Sequence, residues 1–307
     1  MLDTMQMNIL REVAELDALP TGAYNIRANG QGAARNTTAN IDIVTKTDKP
    51  GIDIIIKEGT KNESVHIPVV ISQTGLKDLV YNDFYIGADC DVTIIAGCGI
   101  HNCGNQESRH DGIHTFHLGK NAKVRYIEKH YGTGDENRGK NVMNPETIVY
   151  QEEGSSLLME TTQISGIDDT YRMTTATLAE GASLTVKEKI MTTGEQTAKT
   201  NFVVDLNGAD SKVNLQSRSV AKDHSHQYFD SKINGNAPCA GHSECDAIIM
   251  DQATVEASPS LTANNIDAAL IHEAAIGKIA GEQLIKLMTL GLTEQQAEEQ
   301  IVNGFLK

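Results

Sequence analysis

The fold is decided by the segment EGASLTVKEKI, residues 180–190. It opens with Glu180, Gly181 and Ala182, a sequence typical of a turn, because glycine adopts the backbone angles that tight turns require. From Ser183 onward apolar and polar residues alternate, which predicts a β-strand with one buried face. The same turn-and-strand unit recurs along the chain, so the spacing of the units indicates the architecture.

Five glycines open units of this kind: Gly119, Gly154, Gly181, Gly208 and Gly235. Their successive spacings are 35, 27, 27 and 27 residues. The first spacing exceeds the others by 8, the length of the loop TGDENRGK (133–140), which we interpret as an insertion. A period of about 27 residues in β-type sequence predicts a β-solenoid. The alternative is a β-sandwich whose turns are evenly spaced by chance.

The two ends of the chain have a helical pattern instead. Residues 1–18 place Ile9, Leu10, Val13 and Leu16 on one face of a predicted helix. From about residue 266, apolar residues recur at three- and four-residue intervals, which predicts a helix that ends near Gly291. Thr293 and Gln296 then form a capping box for a second helix. We therefore expect three regions: an N-terminal helix (1–20), a β-helix core (21–265) and a C-terminal helical domain (266–307).

The composition restricts the function classes. The 307 residues include 26 basic and 41 acidic side chains, a net charge of −15, so nucleic acid and anionic membrane surfaces are poor partners. No apolar run is long enough for a membrane span. The 5 cysteines are an odd number and do not resemble a disulfide framework. We expect a cytoplasmic protein whose cysteines bind metal, react or are buried.

Two segments in the middle of the chain suggest chemistry. GDENRGKN (134–141) nearly matches a phosphate-binding loop, but Asn141 replaces the magnesium-binding hydroxyl and Asp135 and Glu136 would repel phosphates. We therefore expect no ATPase activity in this chain. The second segment, residues 98–117, is rich in the thiols and imidazoles that bind zinc or iron. Its candidate ligands are Cys98, His101, Cys103, His110, His114 and His117.

A third cluster lies near the C-terminus, where Cys239, His242 and Cys245 precede His272 and Glu273. Cys245 and His272 are 27 residues apart, the period of the solenoid. If the period holds, they occupy equivalent places on adjacent strands, about 4.8 Å apart, and both side chains reach one metal centre. Otherwise Cys245 is a small buried residue and the His-Glu pair is solvated.

The C-terminal third resembles the SufB/SufD family of iron–sulfur cluster assembly scaffolds in the SUF system. The resemblance rests on SECDAIIMD (243–251) and on residues 264–306, which carry the His-Glu-Ala triplet, the Gly-Lys-Ile step and the final Gly-Phe. It extends well over residues 85–307. It implies a right-handed parallel β-helix with a C-terminal helical domain. It also implies a transient iron–sulfur cluster bound by Cys245, His272 and Glu273, with no turnover chemistry in the scaffold itself.

The resemblance further implies partners. Family scaffolds pair through the β-helix, dock a separate ABC-type ATPase, SufC, on the C-terminal helices, and pass the cluster to apo-proteins. Ile271 stands where an acid often precedes the His-Glu pair in the B-type scaffold. The position of a second functional cysteine of that scaffold falls near Glu152, so its role is not carried over to this chain. Because the long N-terminal region of larger relatives is missing, we expect a compact homodimeric scaffold. Auxiliary sulfur or iron sites are then expected at three further cysteines: Cys98, Cys103 and Cys239.

Two other hypotheses remain open at this point. One is a zinc- or iron-dependent enzyme on a β-solenoid that uses the Cys98–His117 segment, which predicts tightly held metal and catalysis without a partner. The other is a structural repeat protein without metal. The β-helix alone does not decide between them, because one fold carries many functions.

Overall fold

A computed structural model describes residues 2–135 and 137–307. Met1 and Glu136, the second acidic residue of the inserted loop, lie outside the described residues. The chain is mainly β and forms a solenoid of about eight turns, with a short N-terminal helix and two C-terminal helices, which confirms the predicted fold class. The strands form two long sheets that face each other across the core.

The strands of the first sheet, in chain order, are β1 (Ala23–Ala28), β2 (Gln31–Asn36), β5 (Lys61–Ile71), β7 (Asp91–Asn102), β9 (Lys123–Gly134), β12 (Ser156–Ser165), β14 (Ser183–Thr192), β16 (Ser211–Ala221), β18 (Cys239–Ile249) and β20 (Ala268–Gly277). The strands of the second sheet are β3 (Ile41–Thr45), β4 (Gly51–Ile56), β6 (Lys77–Ile86), β8 (Ser108–Leu118), β10 (Asn141–Met143), β11 (Glu146–Gln151), β13 (Asp169–Leu178), β15 (Thr197–Leu206), β17 (His226–Gly235) and β19 (Thr254–Ala263). Neighbouring strands of each sheet pair in parallel, except for the antiparallel pairs β1–β2 and β3–β4 at the N-terminal end; β5 pairs with β1, and β10 and β11 both lie between β8 and β13.

The strand register departs from a strict period of 27. Ser156 of β12 pairs with Ser183 of β14, which is 27 residues, but Ser183 pairs with Lys212 of β16, which is 29 residues. Before the inserted loop the offset is larger, with Asp91 of β7 paired to Lys123 of β9. From β9 to β18 the glycine spacing therefore identifies the architecture correctly and gives the register to within two residues, because turns of different length join the strands.

The core is a set of inward-facing columns that run along the solenoid axis. One column contains Val124, Leu157, Leu184 and Val213, which are register partners on β9, β12, β14 and β16. All four belong to the main hydrophobic cluster and are almost completely buried. Branched aliphatic side chains suit this place, because each covers the residue of the next turn and shields both from water.

The N-terminal helix α1 (Thr4–Ala14) lies on the outer surface of the first sheet. Asp3 caps it by accepting a hydrogen bond from the backbone N–H of Gln6, and the Gln6 side chain accepts one from the backbone N–H of Asp3, which completes a capping box. The helix packs very close to the sheet, since a Cβ on Gly97 would lie 2.3 Å from the Val13 carbonyl oxygen. The predicted apolar face is buried as expected, although the helix ends before Leu16.

The C-terminal region differs from the prediction of a helix beginning near residue 266. Residues 268–277 form strand β20, which pairs along its length with β18. The helices are α2 (Gly281–Thr289) and α3 (Glu294–Phe305), and the capping box of Thr293 and Gln296 is present at α3. The first helix was predicted to begin too early because the alanine-rich stretch before it has apolar residues at both two- and three-residue intervals. Within residues 2–135 and 137–307 no helix has the length and apolarity that crossing a membrane requires.

Candidate functional site at the open end of the solenoid

The structure places Cys245 inside the last turns of the solenoid. Its side chain faces inward from β18 and is 1% exposed. Its register partner on β20 is Ala274, whereas His272 pairs with Ser243, so the expected equivalence of Cys245 and His272 is wrong. The last turn adds 29 residues and not 27, which moves His272 two residues along the strand. It remains on the inner face, diagonal to Cys245, and its Nδ1 lies 3.1 Å from the Ser243 carbonyl oxygen.

Glu273 lies on the other face of the same sheet. Adjacent side chains of a strand point to opposite faces, so Glu273 is directed outward while His272 is directed inward. Its carboxylate is 3.7 Å from Nε2 of His242, an outward-facing residue of β18. Cys245 and His272 therefore share the inner face, and Glu273 reaches them only around the edge of β20. Among the described residues no three His, Cys, Asp or Glu side chains are already arranged as a metal centre.

Burial determines the protonation of Cys245. Desolvation, followed by the negative charges of Glu188 and Asp246, raises the pKa of its thiol to about 12. The thiol is therefore protonated at neutral pH. A thiolate is the form that binds metal, so ligation by Cys245 has to release this proton.

The end of the solenoid beside Cys245 is open. Strands β19 and β20 are the last of their sheets, and each has a sheet neighbour on one side only. Several large apolar side chains are exposed there: Leu261, Ile266, Ile271 and Ile276. Unpaired strand edges with exposed apolar residues favour association with another chain.

The interior also contains a row of charged residues that the sequence analysis missed. The Arg172 guanidinium lies 2.5 Å from a Glu128 carboxylate oxygen and 3.4 Å from one of Glu188. Glu188 also accepts hydrogen bonds from Ser217 Oγ at 2.9 Å and Thr200 Oγ1 at 3.0 Å. All three charged side chains are at most 5% exposed. Alternation places Glu128 on the inward face of β9, at two-residue intervals after other inward-facing positions, but it does not show that a charged side chain there is buried.

The Cys98–His117 segment is divided among three places. Cys98, His110 and His114 face the interior, whereas His101 and Cys103 lie near the surface with Nε2 and Sγ 2.8 Å apart. His117 faces outward and stacks between two tyrosine rings, those of Tyr85 and Tyr150. The segment does not converge as the enzyme hypothesis requires.

The remaining cysteines are buried. Cys239 faces inward at the start of β18, and burial raises the pKa of its thiol. Cys90 lies in the turn before β7, and burial raises its pKa as well. Cys239 is on the same strand and the same face as Cys245, three inward positions before it.

Comparison with known proteins gives one family. The model of the SufBD core domain of the SUF system for FeS cluster assembly matches residues 81–305. An iron–sulfur cluster assembly SufBD family protein of Methanocaldococcus jannaschii is 30% identical over 256 residues, which are 82% of this chain and 79% of that protein. A SufBD family protein of Archaeoglobus fulgidus is 29% identical over 75% of this chain and 61% of its own length.

A shorter match is the iron–sulfur cluster assembly protein SufB of Bacillus subtilis, 42% identical over 65 residues, which are 21% of this chain and 14% of that protein. The family model covers almost the whole solenoid after β5 and both C-terminal helices. This chain belongs to the SufBD family of the SUF system, and its role lies in iron–sulfur cluster assembly.

Proposed function

We propose that this chain is a scaffold on which iron–sulfur clusters are built, with Cys245, His272 and Glu273 as ligands of the nascent cluster. The scaffold performs no turnover chemistry of its own and passes the cluster to apo-proteins. The observation that carries the proposal is the position of Cys245, a buried thiol covered only by the last, open turn of the solenoid. Thiolate and imidazole suit iron, and a carboxylate adds a hard, labile ligand for a cluster that has to leave.

The position of the ligands favours assembly between two copies of the chain. A cluster bound by Cys245 needs the thiol to lose its proton and the last turn to move, because β20 covers the thiol. A second copy on the exposed edges of β19 and β20 would bury Ile271 and Ile276 and bring the two sites near a two-fold axis. Glu273, whose side chain is 68% exposed, then faces the same interface.

Anaerobic reconstitution with iron and sulfide tests the ligands. We expect visible absorption and bound iron in the wild type and in Cys90→Ala. Cys90→Ala is the matched control, because it also removes a buried thiol but one far from the open end. Cys245→Ala should lose both signals while its circular dichroism stays that of the wild type. If Cys245→Ala bound as much iron as the wild type, Cys245 would not be a ligand of the cluster. The same measurement on Cys239→Ala tests the auxiliary cysteine on the same face.

The homodimer has a separate test. Sedimentation equilibrium of the full chain should give twice the monomer mass. Ile271→Asp places a charge on the exposed edge of the last turn, so it should shift the population to monomer. A monomeric wild type, or a fully dimeric Ile271→Asp variant, would contradict pairing through this end.

We also propose that a separate SufC-like ABC ATPase docks on the C-terminal helices. One side of α3 is packed onto the solenoid, where Val302 and Leu306 contact Val220. The helix pair still exposes apolar residues, with Ile285 63% and Leu290 76% exposed. An apolar surface of this kind on a helix pair supports a protein partner.

Substitutions on the helices test this docking better than deletion of residues 266–307, since that deletion also removes β20 and His272. Ile285→Asp combined with Leu290→Asp should abolish co-purification with the ATPase, and Gln300→Asp on an exposed polar position should not. Unchanged association of the double variant would place the docking surface elsewhere.

A further inference from the structure

A row of aromatic side chains lies on the outer face of the second sheet. Tyr85 of β6, His117 of β8 and Tyr150 of β11 are register partners on three neighbouring strands. The rings of Tyr85 and His117 are 5.0 Å apart and nearly parallel, and those of His117 and Tyr150 are 5.3 Å apart. Tyr85 and Tyr150 are nevertheless 42% and 49% exposed. The row therefore leaves much of its apolar surface in contact with water.

The fold does not require aromatic residues at these positions. The same column of the sheet continues from Tyr150 to Thr177 of β13, Asp205 of β15 and Asn234 of β17, each the register partner of the one before. Polar side chains thus serve the outer surface of the later turns, where the strands pair in the same parallel way. Exposed apolar surface that the fold does not need is typical of a binding site.

A groove of about 350 Å³ runs beside the rings. Gly87 and Gly119 follow Tyr85 and His117 by two residues, so they face the same side of the sheet. Both glycines line the groove and add no side chain to it. The turns approach each other closely here, since a Cβ on Gly119 would lie 2.8 Å from the Ala88 backbone nitrogen. The groove thus takes the place of two missing side chains.

A carboxylate lies at one end of the groove. Glu152 follows Tyr150 by two residues and takes the position that glycine holds on the two preceding strands. It forms no ion pair among the described residues, whereas Glu153 beside it is paired with Lys120 at 2.7 Å. Glu180, in the next turn, adds another negative charge close to Lys120. This end of the groove therefore attracts a positive charge.

The open side of the groove favours a protein over a small molecule as its occupant. Sites for small molecules usually cover most of the ligand surface, whereas a small molecule here would stay largely in water beside the exposed rings. A partner protein can insert one side chain and cover the rings around it. Tyrosine is enriched in interfaces of this kind and often contributes much of their binding energy.

We infer that a partner protein docks in this groove through an extended segment in which an aromatic side chain lies two residues from a lysine or arginine. Side chains two residues apart point the same way. The aromatic side chain lies over Gly87 and Gly119, and the cation reaches Glu152. Gly87 and Glu152 are two strand spacings apart, roughly 10 Å, a distance that an extended segment with one long basic side chain can span.

The inference goes beyond the proposed scaffold function and does not depend on it. The groove lies on the outer face of β6, β8 and β11, whereas Cys245 lies inside the last turns of the solenoid. Loss of the groove and loss of the cluster are therefore separate observations.

A peptide that carries tryptophan and lysine two residues apart is the probe that tests the inference. The chain has no tryptophan, so the fluorescence anisotropy of the peptide reports its binding to the full chain directly. We expect saturable binding, and binding about 2- to 5-fold weaker when glutamate replaces the lysine. Tryptamine has the ring and the charge without a peptide chain, and it should bind more weakly than the lysine peptide. Equal binding of tryptamine would indicate a site for small amines and contradict a protein partner.

Two substitutions and a matched control locate the binding. Tyr150→Thr gives β11 the residue that β13 carries at the same register, and it should weaken binding of the lysine peptide by about 10-fold or more. Glu152→Gln should remove the difference between the lysine and glutamate peptides. Tyr171→Thr is the control, because Tyr171 is 47% exposed on the same sheet but does not line the groove. It should bind as the wild type does.

Circular dichroism should show that all three variants keep the fold of the wild type. Absence of saturable binding to the wild type would overturn the inference. So would a Tyr150→Thr variant that binds the lysine peptide as tightly as Tyr171→Thr does, or a preference for the lysine peptide that persists unchanged in Glu152→Gln.

Discussion

Replacement of Arg172 with leucine tests whether the interior charges hold the middle of the solenoid together. The side chain lies between Glu128 and Glu188, and the substitution leaves both carboxylates inside the solenoid without their shared cation. Removing one partner of a buried ion pair costs about 3–5 kcal/mol, because the remaining charge stays desolvated. We expect the free energy of unfolding of Arg172→Leu to fall by about that amount at neutral pH.

The destabilisation should become smaller as the pH falls. In the wild type, burial disfavours the Glu128 carboxylate, but Arg172 and then His130 keep its pKa well below 4.5. A carboxyl group with a depressed folded-state pKa stabilises the protein above its unfolded-state pKa and loses this contribution as the pH falls through the folded-state value. Without Arg172 the pKa of Glu128 should rise, so mild acid protonates it in the variant before it does so in the wild type.

Urea denaturation followed by far-UV circular dichroism and tyrosine fluorescence measures the effect, since the chain has no tryptophan. Arg218→Leu is the matched control on an exposed position of β16, and its free energy of unfolding should change by no more than about 0.5 kcal/mol. Equal destabilisation of the two variants would refute the reasoning, as would a loss in Arg172→Leu that grows on mild acidification.

Three further predictions concern local contacts. Gly132→Ala should lower the free energy of unfolding by about 1–3 kcal/mol in urea denaturation, because a Cβ there would lie 1.9 Å from the Gly166 carbonyl oxygen; a neutral result would contradict that close approach. Asp3→Ala removes the helix cap and should cost about 1 kcal/mol, seen as faster amide exchange in α1 alone. In native protein near neutral pH, iodoacetamide should modify the exposed Cys103 well before Cys245, whose pKa is about 12; equal rates measured by mass spectrometry would refute the burial of Cys245.

The sequence predicts the solenoid well and its register less well. Turn glycines are required by local backbone geometry, so they remain visible in the sequence and mark each turn. The register depends on how many residues each turn absorbs, which no single residue determines. At the last turn the predicted register is wrong by two residues, so His272 is not the register partner of Cys245. The strand β20 lies in the same region and has an apolar pattern that resembles that of a helix.

The interior of the site is the part that the sequence does not reveal. Alternation shows which residues share a face, but a polar residue on that face usually indicates solvent, so Glu128 and Arg172 do not stand out. Their burial becomes visible only when β9 and β13 are seen to face each other. Cys98 and His110 are both candidates in the sequence, but only the fold shows that they face the interior together, Cys98 from β7 of one sheet and His110 from β8 of the other.

The row of interior charges also bears on how the solenoid lengthens or shortens in evolution. Repeat proteins gain and lose turns readily when every turn buries the same aliphatic column, because neighbouring turns are interchangeable. Arg172 lies on β13, and its carboxylate partners Glu128 and Glu188 lie on β9 and β14. Insertion or loss of a turn at this point would separate the buried guanidinium from the two buried carboxylates and leave these charges unpaired. The charged row thus opposes the gain or loss of a turn between β9 and β14, whereas the aliphatic columns on either side of it set no such limit.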